Sequence, residues 1–401
     1  MNACSPRVLI TTSAFWRLLP QGMRRRWWLF RLFDSLVRHW PVSRGRRGIL
    51  VIRMDGIGDM TLFRNSLDHY ANAFGVAANE ITVLGCDSWS SIASEVFDDY
   101  RVITINEHRY ARHLGYRLKV NIRVRFFAPQ ITVSDAYFRR ALMSDSLAWV
   151  AGAPRTVVAL PYINERTRPE YAWYMSQGWE VIDTGAYPAH ELVRHARFIA
   201  AVTGQSVLPE APAITWRDRS PPAKIAGPYV VLNPGSNEYG RRWPLAEYVA
   251  LASWLRARDL RVVFVGKAEE KACDDLLAPL LKDEGIVDMI GQSTLPELFD
   301  IMRGADLVVS NDTGPAHVAI ALGTKTVVIV GGGHFGCFVP YPDGVAPGHA
   351  KFVYRRMDCY HCFWRCHKRD DPKASFPCVA AVSIDQVRTA CTALLDSVNT
   401  A

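Results

Sequence analysis

Residues 48–59 read GILVIRMDGIGD. The apolar run 48–53 suits a strand buried on both faces, as in a parallel sheet. The glycines at 56 and 58 let the chain turn tightly and bring backbone close to a ligand before a helix that starts near Met60. The same grammar returns at 229–236, YVVLNPGS, where strand 229–233 runs into a Pro-Gly-Ser loop. Each start opens an alternation of strands and helices. After the first come strands at 80–84, 101–105, 131–135 and 156–160, with helices at 60–75, 139–152 and 189–204. After the second come strands at 261–265, 286–290, 306–310 and 326–331, with helices at 244–257, 268–282, 295–303 and 314–322. Prolines 209, 212, 221, 222 and 228 mark a linker between the two runs. The expectation is an α/β chain of two doubly wound Rossmann-like domains, 48–204 and 229–401, facing a central cleft and joined by a Pro-rich linker, 205–228. Ligands of such sheets bind beyond the carboxyl ends of the strands.

The chain has 401 residues, enough for two cores, and at 49% hydrophobic and 21% charged it is not a disordered composition. Its net charge of +8 is unevenly placed. Residues 1–50 hold ten arginines and one acid, Asp34, hence +9, and the other 351 residues sum to −1. A basic extension on a near-neutral body argues against nucleic acid as a partner. Within 1–47, residues 21–40 form a basic amphipathic helix on a wheel. Leu29, Phe30, Leu32, Phe33, Leu36, Val37 and Trp40 share one half. Arg24, Arg31, Asp34, Ser35, Arg38 and His39 share the other, with Trp27 and Trp28 at its edges. Such a helix suits an anionic membrane interface, or else packs on the body with a solvated basic side. No stretch reads as a membrane span or a secretory signal.

Four loops carry chemistry. In the first, Gly56 and Gly58 precede Asp59, a carboxylate suited to a general base or, equally, to capping the helix. The third glycine of a dinucleotide fingerprint is missing, since residue 61 is Thr. In the second, Ser236 is followed by Arg241, Arg242 and Pro244, a diphosphate clamp or a turn with solvated arginines. In the third, Asp312-Thr313-Gly314 opens a helix, an anion-attracting start, that carries His317 one turn on, either as part of that site or as a packed core residue. In the fourth, Glu269 and Glu270 follow strand 261–265 and Gly266, where an acid accepts from ribose hydroxyls or merely starts a helix. Separately, Cys359-x2-Cys362-x3-Cys366-x11-Cys378 has the spacing of a closed tetrathiolate site for Zn or Fe, with His361 and His367 as substitute ligands, or else is four reduced free thiols. A full protein ligand set makes it structural, bracing a loop-rich segment 337–380. Residues 107–126 carry six basic residues against Glu107, a candidate contact for an anionic acceptor or a solvated loop.

These motifs, in this order, resemble the lipopolysaccharide heptosyltransferase family, family 9 of the glycosyltransferases. The resemblance covers about residues 48–398 and rests on GIGD (56–59), NPGS…RRWP (233–244), GKAEE (266–270), GQSTLPEL (291–298) and NDTGPAH (311–317). It implies a GT-B fold and an inverting transfer with no catalytic metal, from a nucleotide-diphosphate sugar donor, typically ADP-heptose. The acceptor would be a lipopolysaccharide core, an anionic glycolipid, at the cytoplasmic face of the inner membrane. The family's catalytic Asp matches Asp59, its phosphate Lys matches Arg241, and its donor motif matches Asp312, Thr313, Gly314 and His317. Its ribose Glu matches Glu269 or Glu270. Some protein-modifying members hold iron in a similar four-Cys finger. This chain departs from the family in its Arg241-Arg242 pair, its basic N-terminal helix and an aromatic segment, 162–188. The alternatives are therefore a protein-modifying heptosyltransferase, transfer of another nucleotide-diphosphate sugar, or a non-catalytic metal-binding scaffold at the membrane.

Overall fold

A computed structural model describes residues 27–43, 45–165, 167–216, 221, 222, 225 and 227–397. It forms two compact units. The first holds the described residues up to Gly56, Ser66–Tyr187 and Val193–Leu208, and the second holds Ile57–Asn65, Pro188–Leu192 and the described residues from Pro209 onward. The chain therefore leaves the first unit in the middle of the GIGD loop, and the helix Ile57–Phe63 belongs to the second.

Strands β1 (Ile49–Arg53), β2 (Ile81–Cys86), β3 (Arg101–Ile105), β4 (Ile131–Ser134), β5 (Arg155–Ala159) and β6 (Glu180–Ile182) form the first sheet, ordered β3-β2-β1-β4-β5-β6. Strands β7 (Tyr229–Asn233), β8 (Arg261–Phe264), β9 (Ile286–Asp288), β10 (Leu307–Asn311), β11 (Thr326–Val330) and β12 (Ala350–Tyr354) form the second, ordered β12-β11-β10-β7-β8-β9. All pairings are parallel, with registers such as Val51 on Val83 and Val309 on Leu232. Counted from its own first strand, each sheet has the order 3-2-1-4-5-6 of a doubly wound nucleotide-binding fold. The central strands β1, β7, β10 and β11 are buried at every residue, which explains their unbroken Val/Ile/Leu runs.

Sequence patterning had not marked β6 and β12, both outermost in their sheets. The expected helix 60–75 breaks at Asn65, whose side chain receives a bond from Ala213 N and donates to Ala211 O, both at 3.1 Å. The expected helix 268–282 is a series of short turns interrupted by Pro279, which has no N–H to give. The basic stretch 107–126 is helical, over Glu107–Arg112 and Leu114–Phe127.

Residues 21–26, with Arg24, lie outside the described residues, and a helix covers Trp27–Arg38. Its sides are used differently from the wheel. Phe30, Asp34 and Val37 face the first unit and are buried. Asp34 accepts from Arg117 at 2.6 and 2.9 Å, from Asn121 at 2.6 Å and from Ser146 at 2.5 Å. Arg117 is therefore an internal counter-ion rather than a surface cation, and Asp34 holds its guanidinium protonated against desolvation. The aromatic segment supplies the rest of the seat. Tyr171 and Tyr174 are buried beside Val37 and Trp149, and Arg31 lies 3.7 Å over the Trp173 ring. The N-terminal helix and the aromatic segment, the two stretches expected to depart from the family pattern, are thus packing partners. What remains exposed is an apolar stripe, Leu32 at 59%, Leu36 at 70% and Trp40 at 52%. No helix among the described residues is long and apolar enough to cross a membrane.

Candidate active site

In the second unit, the loops after β7, β8 and β10 converge at the carboxyl edge of the sheet. Asn311, the last residue of β10, ties two of them together. Its Nδ2 donates to Pro234 O at 2.8 Å and its Oδ1 receives Trp243 N at 2.9 Å. Asn233 Nδ2 donates to Ser310 Oγ at 2.9 Å and to Thr313 Oγ1 at 3.3 Å. Both asparagines are buried, so their amides fix the loops in a place where water does not compete.

Two basic residues border these loops. Arg241 pairs with Asp312 Oδ2 at 3.1 Å and also bonds the Asp312 carbonyl, and its guanidinium lies 4.5 Å over the Trp364 ring. Arg242 grips Ser236 O at 2.9 and 3.1 Å and reaches Glu270 at 3.7 Å. Two polar atoms are left over. Ser236 Oγ and Arg241 Nε are buried and have no hydrogen-bond partner among the described residues. A buried donor without a partner is costly unless a ligand completes it.

The two glutamates separate clearly. Glu269 is exposed, whereas Glu270 turns into the loop and accepts Lys267 N at 2.8 Å. A Cβ on Gly235 would lie 2.0 Å from Glu270 Oε2, and one on Gly266 2.7 Å from the same atom. The glycines of both loops therefore make room for this one carboxylate.

Asp59 stands in the first turn of Ile57–Phe63, part-buried, and that helix packs on Gly314–Ala321. The contact runs glycine to glycine. A Cβ on Gly58 would meet Gly314 Cα at 3.2 Å and His317 Cδ2 at 3.0 Å, and a Cβ on Gly314 would meet Ile57 Cγ2 at 2.3 Å. Asp59 is thereby carried beside the Thr313-Gly314 helix start. Gly56, exposed, ends the first unit's share of the loop. His317 is buried, with Nδ1 3.0 Å from Tyr341 Oη and its ring stacked on that tyrosine. Burial, aided by Arg241, pushes its pKa down to about 3, so the imidazole is neutral at pH 7. It acts as a polar brace under the glycine contact.

The other carboxylate of the loop, Asp55, belongs to the first unit. It pairs with Arg53 at 2.9 Å, and Arg53 pairs with Asp135 at 2.7 Å. Burial raises the pKa of Asp55 against the pull of Arg53, while Asp135 stays below its usual value because Arg53 and His195 outweigh its desolvation.

The cysteine segment is anchored to the same edge. Gly331–Gly333 follow β11 and leave room for the Tyr360 and Trp364 rings. His361 N and Phe363 N donate to the Gly332 and Gly333 carbonyls, and Gly332 N donates to Cys378 Sγ at 3.3 Å. His361, Phe363 and Trp364 hold left-handed backbone, φ 68°, 53° and 60°, a costly geometry for such residues. Burial, opposed by the hydrogen bond from Gly332 N and aided by Cys362, Cys359 and Cys366, raises Cys378 above the usual thiol pKa. The donor types are those of a soft-metal site. Among the described residues, no group of three or more His, Cys, Asp or Glu is arranged to hold an ion. Residues that sequence reasoning did not single out are Asn233, Asn311, Tyr341 and Trp364. The asparagines lay inside quoted motifs, but nothing in the sequence placed Trp364 under Arg241.

Residues 177–345 match the model of glycosyltransferase family 9 (heptosyltransferase). Lipooligosaccharide heptosyltransferase 2 of Campylobacter jejuni is 28% identical over 136 residues, 33% of this chain and 41% of that one. This chain thus matches about two fifths of that relative's length. A family 9 glycosyltransferase structure from Veillonella parvula aligns with a TM-score of 0.69 at 17% identity, covering 89% of this chain and 100% of that one. The Escherichia coli ADP-heptose lipopolysaccharide heptosyltransferase II structure aligns at 0.63 and 19%, covering 87% and 98%. The chain resembles the lipopolysaccharide heptosyltransferases of glycosyltransferase family 9, and the match to that family's model spans residues 177–345.

Proposed function

We propose that the protein is an inverting glycosyltransferase that moves a sugar, heptose from ADP-heptose, onto a lipopolysaccharide core acceptor. The observation that carries this reading is the pair of orphaned polar atoms, Ser236 Oγ and Arg241 Nε, buried where the glycine loops after β7 and β10 meet. A diphosphate completes both, with Arg241 and Arg242 supplying charge and the Thr313 and Gly314 amides supplying dipoles. We assign the ribose contact to Glu270, a reading supported by its turning into the loop while Glu269 is exposed. Titration calorimetry tests the donor site. ADP-heptose should bind the wild type and lose at least tenfold in affinity in Arg241→Ala. Equal affinity in the two proteins would refute the assignment.

In the reaction, Asp59 takes the proton of the acceptor hydroxyl as that oxygen attacks the anomeric carbon. The bond from that carbon to the diphosphate oxygen breaks, ADP leaves with the electron pair, and the configuration inverts. Charge grows on the leaving diphosphate, where the arginines and loop amides stabilise it. General-base help contributes about a hundred- to ten-thousand-fold in rate.

The four cysteines would hold Zn or Fe as a structural centre, a reading supported by their soft donor chemistry and their spacing, Cys359-x2-Cys362-x3-Cys366-x11-Cys378. The metal would neutralise thiolates and brace the strip that presents Trp364 to Arg241. Metal analysis of the purified protein and of Cys362→Ser checks this. The helix Trp27–Arg38, with its exposed apolar stripe, would hold the enzyme at the anionic cytoplasmic face of the inner membrane. Loss of anionic-vesicle binding on deleting residues 1–45 is the expected result.

A further inference from the structure

A groove of about 980 Å³ opens in the first unit between its sheet and the helix Leu114–Phe127. Its floor is apolar: Leu84, Ile103, Ile105, Val120, Val124 and Phe127. Its mouth is basic: Arg46, Arg47, Arg101 and Arg123 stand there with one acid, Glu80. None of the four arginines enters an ion pair among the described residues. Glu80 is already engaged, accepting Ala77 N at 3.2 Å.

The mouth lies at the amino ends of the strands. Gly45–Gly48 lead into β1, Asn79 and Glu80 lead into β2, and Arg101 starts β3. Gly56 follows β1 at the opposite, carboxyl edge of the same sheet. The groove continues into the exposed apolar stripe. Phe126 lines the groove, is 40% exposed, and meets Trp40 edge-on at 6.3 Å, with Leu36 and Leu32 one and two turns back along the same face. Its size falls at the upper end of the roughly 300–1,000 Å³ typical of small-molecule sites.

An apolar slot whose lip carries guanidiniums outside any ion pair among the described residues matches an amphiphile with a hydrocarbon chain and a phosphate. We propose that the groove takes one acyl chain of an anionic glycerophospholipid, with the phosphate held by Arg46, Arg47, Arg101 and Arg123. Guanidinium forks suit phosphate oxygens in pairs. Below Arg101 and Arg123 at the mouth, the lining from strands β1 to β3 and the helix Leu114–Phe127 is side-chain carbon apart from Thr82. The site deepens the membrane reading: the stripe meets the lipid surface and the groove draws one lipid out of it.

The test uses the full-length protein and monomeric lysophosphatidylglycerol below its micelle concentration, so no membrane surface is needed. Calorimetry should give one site per chain. Affinity should rise about fourfold for each added methylene from ten carbons until the groove is filled. Glycerol 3-phosphate and the zwitterionic lysophosphatidylcholine should each bind at least tenfold more weakly than the 14-carbon lysophosphatidylglycerol. Arg101→Glu/Arg123→Glu, at exposed positions, should lose tenfold or more and keep donor affinity. Val124→Trp, checked for folding by circular dichroism, should block the chain. Absence of lysolipid binding, no dependence on chain length, or unchanged affinity in the charge-reversed protein would each overturn the proposal. Vesicle sedimentation of the same proteins reports on the membrane reading separately, because the stripe is intact in both variants.

Discussion

Acidification should selectively weaken the second unit through His317. Its ring is buried against Tyr341 and is held neutral, with a pKa near 3 against about 6.5 in an unfolded chain. Above pH 6.5 neither state carries the proton, and the histidine adds no pH dependence. Between about 6.5 and 3 the unfolded chain binds a proton that the native site refuses, so stability falls as pH falls. The slope is about 1.4 kcal/mol per pH unit, which gives roughly 2 kcal/mol of loss by pH 5. His334, depressed in the same direction to about 3 by burial, adds a parallel loss. The assay is urea unfolding from pH 7.5 to 5 for the wild type and His317→Gln, which keeps a polar side chain but cannot titrate. The stability difference between the two proteins should be constant above pH 6.5 and shrink by about 2 kcal/mol at pH 5. A difference that stays flat across the range would refute the burial argument.

Other expectations follow from single contacts. Asp34→Ala strands the buried Arg117 guanidinium and should destabilise the first unit by about 3–5 kcal/mol in thermal unfolding, whereas Asp34→Leu/Arg117→Met should restore most of it. Gly235→Ala places a Cβ on Glu270 and should weaken ADP-heptose binding tenfold or more by calorimetry, with little change in melting temperature. Gly58→Ala pushes Asp59's helix off Gly314 and His317, so kcat should fall by tenfold or more while donor affinity stays within twofold.

Much of the fold was legible because parallel sheets write themselves as unbroken apolar strands ending in glycine loops. Strands β1 and β7 announced two units in this way, and ten of the twelve strands lay where the pattern placed them. The outermost strands β6 and β12 are short or partly exposed, with burial patterns that alternate weakly, so they carry little signal. The N-terminal helix shows a different failure. A wheel assigns Asp34 and Arg31 to solvent by polarity, but the partner that buries Asp34 is Arg117, 83 residues away, and only tertiary structure brings them together. In the site, separate loop motifs flagged Arg241 and Asp312, which the structure pairs, and Ser236, whose carbonyl Arg242 holds. The glycine contact that seats Asp59 could not be read, because it joins Gly58 and Gly314 across some 250 residues of sequence. The two glutamates looked equivalent until the loop turned one of them inward.

The central claim is that Asp59, seated on the Thr313-Gly314 helix start, is the base for transfer from a donor held by Ser236 and Arg241. Transfer from ADP-heptose to a heptose-deficient lipopolysaccharide core, followed by mass spectrometry, compares wild type with Asp59→Asn at matched donor occupancy. The account predicts heptosylated product from the wild type and a rate at least a hundredfold lower from the variant, with donor affinity unchanged. Near-wild-type turnover in Asp59→Asn would contradict it and turn attention to Asp55.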